Sequence, residues 1–191
     1  MAKVNIEEVY VMSAYSAKEV ANWILAEASA QRITVSPMQL QKILYYLQGY
    51  SLGMTSIKLF EDDIEAWTHG PVVPSVYSAY KKYGGKSILP PPNVVIPEEF
   101  QNLVSSVVKE KGTMSAFSLS DATHSDPPYQ ETARNQVITV DKIETYFSSL
   151  FWASDEEDEY QPYFESVDEE KRYFLENISQ RERHAILTGC R

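Results

Sequence analysis

Cysteine is almost missing from this chain of 191 residues: Cys190 stands alone. A single thiol closes no intramolecular disulfide, which suits a reducing, cytoplasmic setting. With no motif around it, it is also a poor nucleophile. Histidine is scarce too, limited to His69, His124 and His184. A metal centre needs three or four ligands, and no H-x-x-x-H or C-x-x-C spacing occurs, so no metal is expected. No run of eighteen apolar residues exists to span a bilayer, so no membrane association is expected. The opening residues MAKVNIEEVY are charged and short of apolar length, unlike a signal peptide. No G-x-S-x-G, Walker loop or dinucleotide fingerprint is found, so the expectation is a protein that is no enzyme and carries no cofactor. Basic residues are in deficit, 17 against 27 acids, for a formal net charge of −10. Such a surface repels phosphate backbones and disfavours direct nucleic-acid binding. It speeds encounter with a basic protein instead.

What is present is a helical pattern with clear start signals. The hydrophobic share of 43% is enough for one buried core. Ser16-Ala17-Lys18-Glu19 is a capping box, followed by Val20, Ile24 and Ala28 on one face, with Trp23 near it. Ser36-Pro37-Met38-Gln39 is a second start, with proline at the first helical position. Leu40, Ile43, Leu44 and Leu47 then form a stripe that Lys42 and Gln41 leave. Tyr45, Tyr46 and Tyr50 spread around this helix, which implies burial on more than one side, and Gly49 and Gly53 are read as its end.

The run from Trp67 to Pro74 follows. Gly70, Pro71 and Pro74 constrain its backbone strongly, so it reads as a rigid corner presenting Trp67 and His69 at a helix entrance. A minor strand pair is expected near residues 57–68, because Ile64, Ala66 and Thr68 alternate with Glu65 and Trp67. Glu61, Asp62 and Asp63 lack the spacing of a calcium loop. From Pro74 a helix turns Val76, Tyr77 and Tyr80 inward. Proline-rich residues 87–97 form a stiff connector. Beyond it lie a helix with Phe100, Leu103, Val104 and Val107 on its face, a helix from Met114 to His124 burying Met114, Phe117 and Leu119, a short helical turn after Asp126-Pro127-Pro128, and a helix from Thr139 to Leu150 with Ile143, Phe147 and Leu150 in register.

After Trp152 the composition changes. Residues 155–170 hold nine acids and no base, with Tyr160, Tyr163 and Phe164 among them. Acids with interspersed aromatics can fold onto a basic, apolar partner. Ser166-Val167-Asp168-Glu169 and Ser179-Gln180-Arg181-Glu182 are further helix starts. The expected organisation is a short N-terminal arm (1–15), a compact, mainly α-helical domain (16–152) of about seven helices with at most a small strand pair, and an acidic C-terminal extension (153–191) carrying one or two short helices.

Two motifs carry a resemblance. The first is L-Q-K-x-L-Y-Y-x-Q-G, formed by Leu40, Gln41, Lys42, Leu44, Tyr45, Gln48 and Gly49. The second runs from Phe60 through Ile64, Glu65, Ala66, Trp67, Gly70, Pro71, Val72, Val73, Pro74, Val76 and Tyr77 to Tyr83. Leu119, Thr123, His124, Pro127 and Ala133, then Ile143, Tyr146 and Phe147, continue it. In this order the residues resemble the Panacea family of SocA-like antitoxin domains, also described as phage-associated GepA-like proteins, over about Ser16 to Leu150. Tyr129 departs from the pattern, which has tryptophan there, and nothing after Trp152 is covered.

The resemblance implies an antitoxin of a toxin–antitoxin system from a prophage or other mobile element, neutralising a cognate toxin by binding it. Alternatives are an adaptor that hands its bound partner to a cytosolic protease and a phage protein that binds a host factor. Leu40, Tyr45, Trp67, Gly70, Pro71, Pro74 and Tyr77 are expected to build the structure. Lys42, His69 and His124, being polar, are candidates for contact with the partner, together with Tyr160, Tyr163 and Phe164. For the two histidines the alternative, slightly favoured, is structural, with His69 bonding backbone around the proline corner and His124 satisfying a helix end. A two-histidine acid–base site would require both rings to converge with an acid in one cleft.

Overall fold

A computed structural model describes residues 15–152. The expectations for the N-terminal arm, the acidic extension, Tyr160, Tyr163, Phe164 and His184 lie outside the described residues. Within them the chain is mainly helical, in the order α1 (Ala17–Ala30), α2 (Pro37–Thr55), β1 (Glu65–Trp67), β2 (Gly70–Val72), α3 (Pro74–Tyr80), α4 (Glu98–Lys111), α5 (Ala116–Ser125), α6 (Pro127–Gln130) and α7 (Val140–Trp152).

Both serine start signals operate as read. Ser16 accepts from the Glu19 amide while the Glu19 carboxylate accepts from the Ser16 amide. Ser36 and Gln39 do the same for α2. The two boxes satisfy amides that a helix start leaves without intrahelical partners.

Helix α2 is the axis of the fold. Every residue from Leu40 to Met54 is buried, and α1, α4, α5, α7 and β2 all pack on it. A helix apolar on most sides is stable only when neighbours cover it all round, and the three tyrosines at 45, 46 and 50 are buried as expected. The helix does not end at Gly49 or Gly53. It runs to Thr55 and closes at Ser56 in the left-handed region. The glycines serve packing instead. A Cβ on Gly49 would stand 2.3 Å from the Phe147 ring, and one on Gly53 2.6 Å from the Phe147 backbone. Their missing side chains let α7 lie directly on α2.

The strand pair lies later than expected, at residues 65–72. β1 and β2 are antiparallel, with Glu65 opposite Val72, Ala66 opposite Pro71 and Trp67 opposite Gly70. Thr68 and His69 are left as a two-residue turn. On the far side of β1, residues 135–138 run alongside. Ala66 donates to the Gln136 carbonyl and Asn135 to that of Ala66, and Glu65 bridges Val137.

Two expected core residues are at the surface. Phe117 is 78% exposed. Two residues apart on a helix are nearly opposite, and α5 has its neighbours on the Leu119 side. Tyr77 is 40% exposed because Val76 takes the core position of α3. Asp62, from the acidic run, holds two helix starts: it accepts from the Ala17 amide and from the Ser75 hydroxyl.

Candidate functional site: the hairpin corner

The hairpin and the proline corner after it, residues 67–73, are held by side chains from three helices. Their carbonyls lack the partners a wider sheet would provide, and a backbone polar group left unpaired inside a protein is costly. Ser120 of α5 donates its hydroxyl to the His69 carbonyl at 3.2 Å. The Tyr129 hydroxyl of α6 donates to the Trp67 carbonyl at 2.7 Å. His124 lies between, with Nε2 3.1 Å from the Thr68 carbonyl and Nδ1 2.6 Å from that of Ser120. Its ring meets the Tyr129 ring edge-on at 4.7 Å. Thus three successive carbonyls, 67 to 69, are each faced by a side chain of α5 or α6.

Helix α2 holds the other strand. Gln41 accepts from the Val73 amide at 2.7 Å, and the Lys42 ammonium donates to the Pro71 carbonyl at 3.1 Å. Gln48 serves the preceding loop likewise, accepting from Leu59 and Phe60 and donating to the Phe60 carbonyl. The residues that leave the apolar stripe of α2 are therefore not solvent-facing. Lys42, expected to offer its ammonium to a partner, is 1% exposed. Burial pushes its pKa down to about 7. Gly70 makes this arrangement possible. Its φ is +95°, and a Cβ there would stand 2.4 Å from Lys42 Nζ and 2.8 Å from Thr123 Oγ1.

Near the corner lies a buried carboxylate that the sequence marked only as the residue before the helical turn. Asp126, just before α6, is 6% exposed. One oxygen accepts from the Tyr146 hydroxyl at 2.9 Å. The other has no hydrogen bond, nor has the Tyr45 hydroxyl, which faces the carboxyl outside bonding geometry. Burial pushes the Asp126 pKa up to about 6, opposed by Tyr146, Tyr45 and Lys111. The same burial, together with this carboxyl, pushes the Tyr45 hydroxyl well up.

The outer side of the corner is open. His69 is exposed, and its ring makes no hydrogen bond among the described residues. Trp67 is half-buried, donates Nε1 to Glu65 at 2.7 Å and meets Tyr77 edge-on at 5.0 Å. A partly exposed aromatic pair on the same corner as an exposed imidazole is suited to protein recognition, where aromatic side chains are enriched. No hydrogen bond joins His69 to His124, whose two nitrogens face backbone carbonyls. Among the described residues the two rings form no acid–base pair, and no group of three or more potential ligands could hold a metal ion.

Comparison with known proteins gives this geometry a context. Residues 40–130, from the first core residue of α2 to the last of α6, match the family described as antitoxin SocA-like, Panacea domain. The chain is 40% identical over 73 residues to "Antitoxin SocA" of Caulobacter vibrioides (strain NA1000 / CB15N). The shared stretch covers 38% of this chain and 39% of that protein. No solved structure matches. The matched interval contains the whole hairpin corner and its supports Gln41, Lys42, Ser120, His124 and Tyr129. It leaves out α1 and α7, both of which pack on α2.

Proposed function

With an antitoxin SocA-like Panacea domain in residues 40–130 as the premise, we propose that this chain is an antitoxin that neutralises a cognate toxin by direct protein–protein binding. The observation that carries this reading is the position of the matched residues. They build a braced hairpin whose outward side presents His69, Trp67 and Tyr77. Lys42 acts from behind it, fixing the backbone rather than touching the partner, and His124 fixes the Thr68 carbonyl. Rigid presentation lowers the entropy lost on binding. The net charge of −10 favours a basic partner. Tyr160, Tyr163 and Phe164, beyond the matched interval, supply a second contact that is particular to one toxin.

The test is co-expression with each reading frame adjacent to this one in its source. A neighbour that stops growth alone, is neutralised by this chain and co-purifies with it supports the proposal. Rescue that requires an intact cytosolic protease supports a delivery adaptor instead. If no neighbour is toxic, the proposal fails. Deleting residues 153–191 is expected to weaken co-purification while leaving the helical domain folded; unchanged affinity would remove the extension from the contact surface.

A further inference from the structure

Beside the hairpin turn, a cleft of about 300 Å³ opens between β1, α6 and the loop that follows it. Thr68, His124, Gln130, Thr132 and Arg134 contribute its polar wall. Among these residues is one cation and no acid, in a protein whose acids outnumber its bases by ten. Arg134 is exposed and donates Nη2 to the Thr68 hydroxyl. No carboxylate lies within ion-pair distance of it among the described residues. One of its five N–H groups is thus occupied, and that bond aims the planar fork.

The walls around it are tied down. The Thr132 hydroxyl donates to the Pro128 carbonyl at 2.7 Å and accepts from Lys142 Nζ at 3.3 Å. Lys142 also donates to the Glu131 carbonyl at 2.6 Å, which fixes the segment that carries Thr132. Tyr129 and His124 anchor the floor to the Trp67 and Thr68 carbonyls. The Gln130 side chain, also on this wall, forms no hydrogen bond with the described residues.

We propose that this cleft binds a carboxylate of the partner polypeptide, with Arg134 as a bidentate clamp and the Gln130 amide as a further donor. The inference deepens the antitoxin reading and rests on it for the partner's identity. A guanidinium fork matches carboxylate and phosphate alike. The protein's overall negative charge repels a polyphosphate chain far more than a single carboxylate, which selects the polypeptide.

The test is a titration of the ¹⁵N-labelled full chain, followed at the Arg134 Nε–H and Gln130 side-chain amide signals. N-acetyl-alanine stands in for a chain terminus, and N-acetyl-aspartate amide for an acidic side chain. N-acetyl-alanine amide is the uncharged control, and inorganic phosphate the competing anion. Either carboxylate probe should give saturable shifts, and the tighter of the two names the source. The amide control should give none. R134Q should abolish the shifts, and R134K should weaken binding by about 5-fold or more through loss of the fork. Phosphate binding as tightly as the carboxylates, or no saturable shift up to the order of tens of millimolar, would overturn the proposal. R134Q melting with the wild type guards against misreading an unfolded variant. The titration uses no toxin, so the cleft can fail while growth rescue succeeds, and the antitoxin reading can fail while the cleft binds.

Discussion

The Lys42 ammonium ends 3.1 Å from the Pro71 carbonyl oxygen, in the wall between α2 and the hairpin, with no carboxylate in ion-pair range among the described residues. A buried charge with a single carbonyl for company is destabilising, and deprotonation relieves it. The folded chain releases this proton near pH 7, against a usual lysine value of 10.5. Between those values the unfolded state binds more protons, so stability should rise with pH from about 7 to about 10 and be flat below 7. The full span is on the order of 3–5 kcal/mol by linkage. Lys42→Met should remove the slope. Urea unfolding of both proteins at pH 6.5, 8 and 9.5 checks this, and parallel curves would show that the ammonium is not the cause.

Asp126 titrates with the opposite sign. The folded chain holds its proton up to about pH 6, and the unfolded chain releases it near the usual 3.8. Between these values the folded state binds more protons, so its contribution falls as pH rises from about 4 to 6 and stays low above. Asp126→Asn keeps an acceptor for Tyr146 and removes the charge. It should be more stable than the wild type at pH 8, by about 1–2 kcal/mol, with the gap narrowing at pH 4. A gap independent of pH would contradict the assignment. With Lys42, this predicts a shallow minimum of stability at pH 6–7.

Gly49 and Phe147 should be coupled. Gly49→Ala drives a methyl into the ring and should cost about 1–3 kcal/mol. Phe147→Leu frees space at the same place, so the double variant should lose less than the sum of the singles. Urea midpoints of the four proteins measure this. Strict additivity would mean that the glycine is needed for something other than the ring.

Gln41→Leu separates support from contact. It leaves the buried Val73 amide without its acceptor and should cost about 1–3 kcal/mol. Stability and toxin rescue should then decline together. His69→Ala and Tyr77→Ala change exposed groups and should alter stability by less than about 0.5 kcal/mol. Each should nevertheless weaken rescue and co-purification. Full rescue by the double variant H69A/Y77A would place the contact surface elsewhere.

Much of the scaffold was legible because its signals are local. Ser16 with Glu19 and Ser36 with Gln39 specify helix starts through contacts three residues apart. The apolar spacing of Leu40, Ile43, Leu44 and Leu47, and of Ile143 and Phe147, marks faces that any fold must cover. The composition around Trp67–Pro74 identified the corner as constrained, and the motif order pointed to the antitoxin SocA-like family whose model matches residues 40–130. The tertiary structure alone decided the rest, because it depends on what stands opposite. Gly49 and Gly53 look like helix ends until Phe147 lies against them. Gln41 and Lys42 look like solvent-facing positions until the carbonyl and amide of residues 71 and 73 need partners. Phe117 and Tyr77 look like core until the side on which α2 lies is known. Arg134 gave no signal in the sequence, since its setting is made by Thr68, sixty-six positions away along the chain. Short-range hydrogen bonds and periodicity are written in neighbouring residues, whereas burial, orphaned polar groups and clefts arise only when distant segments meet.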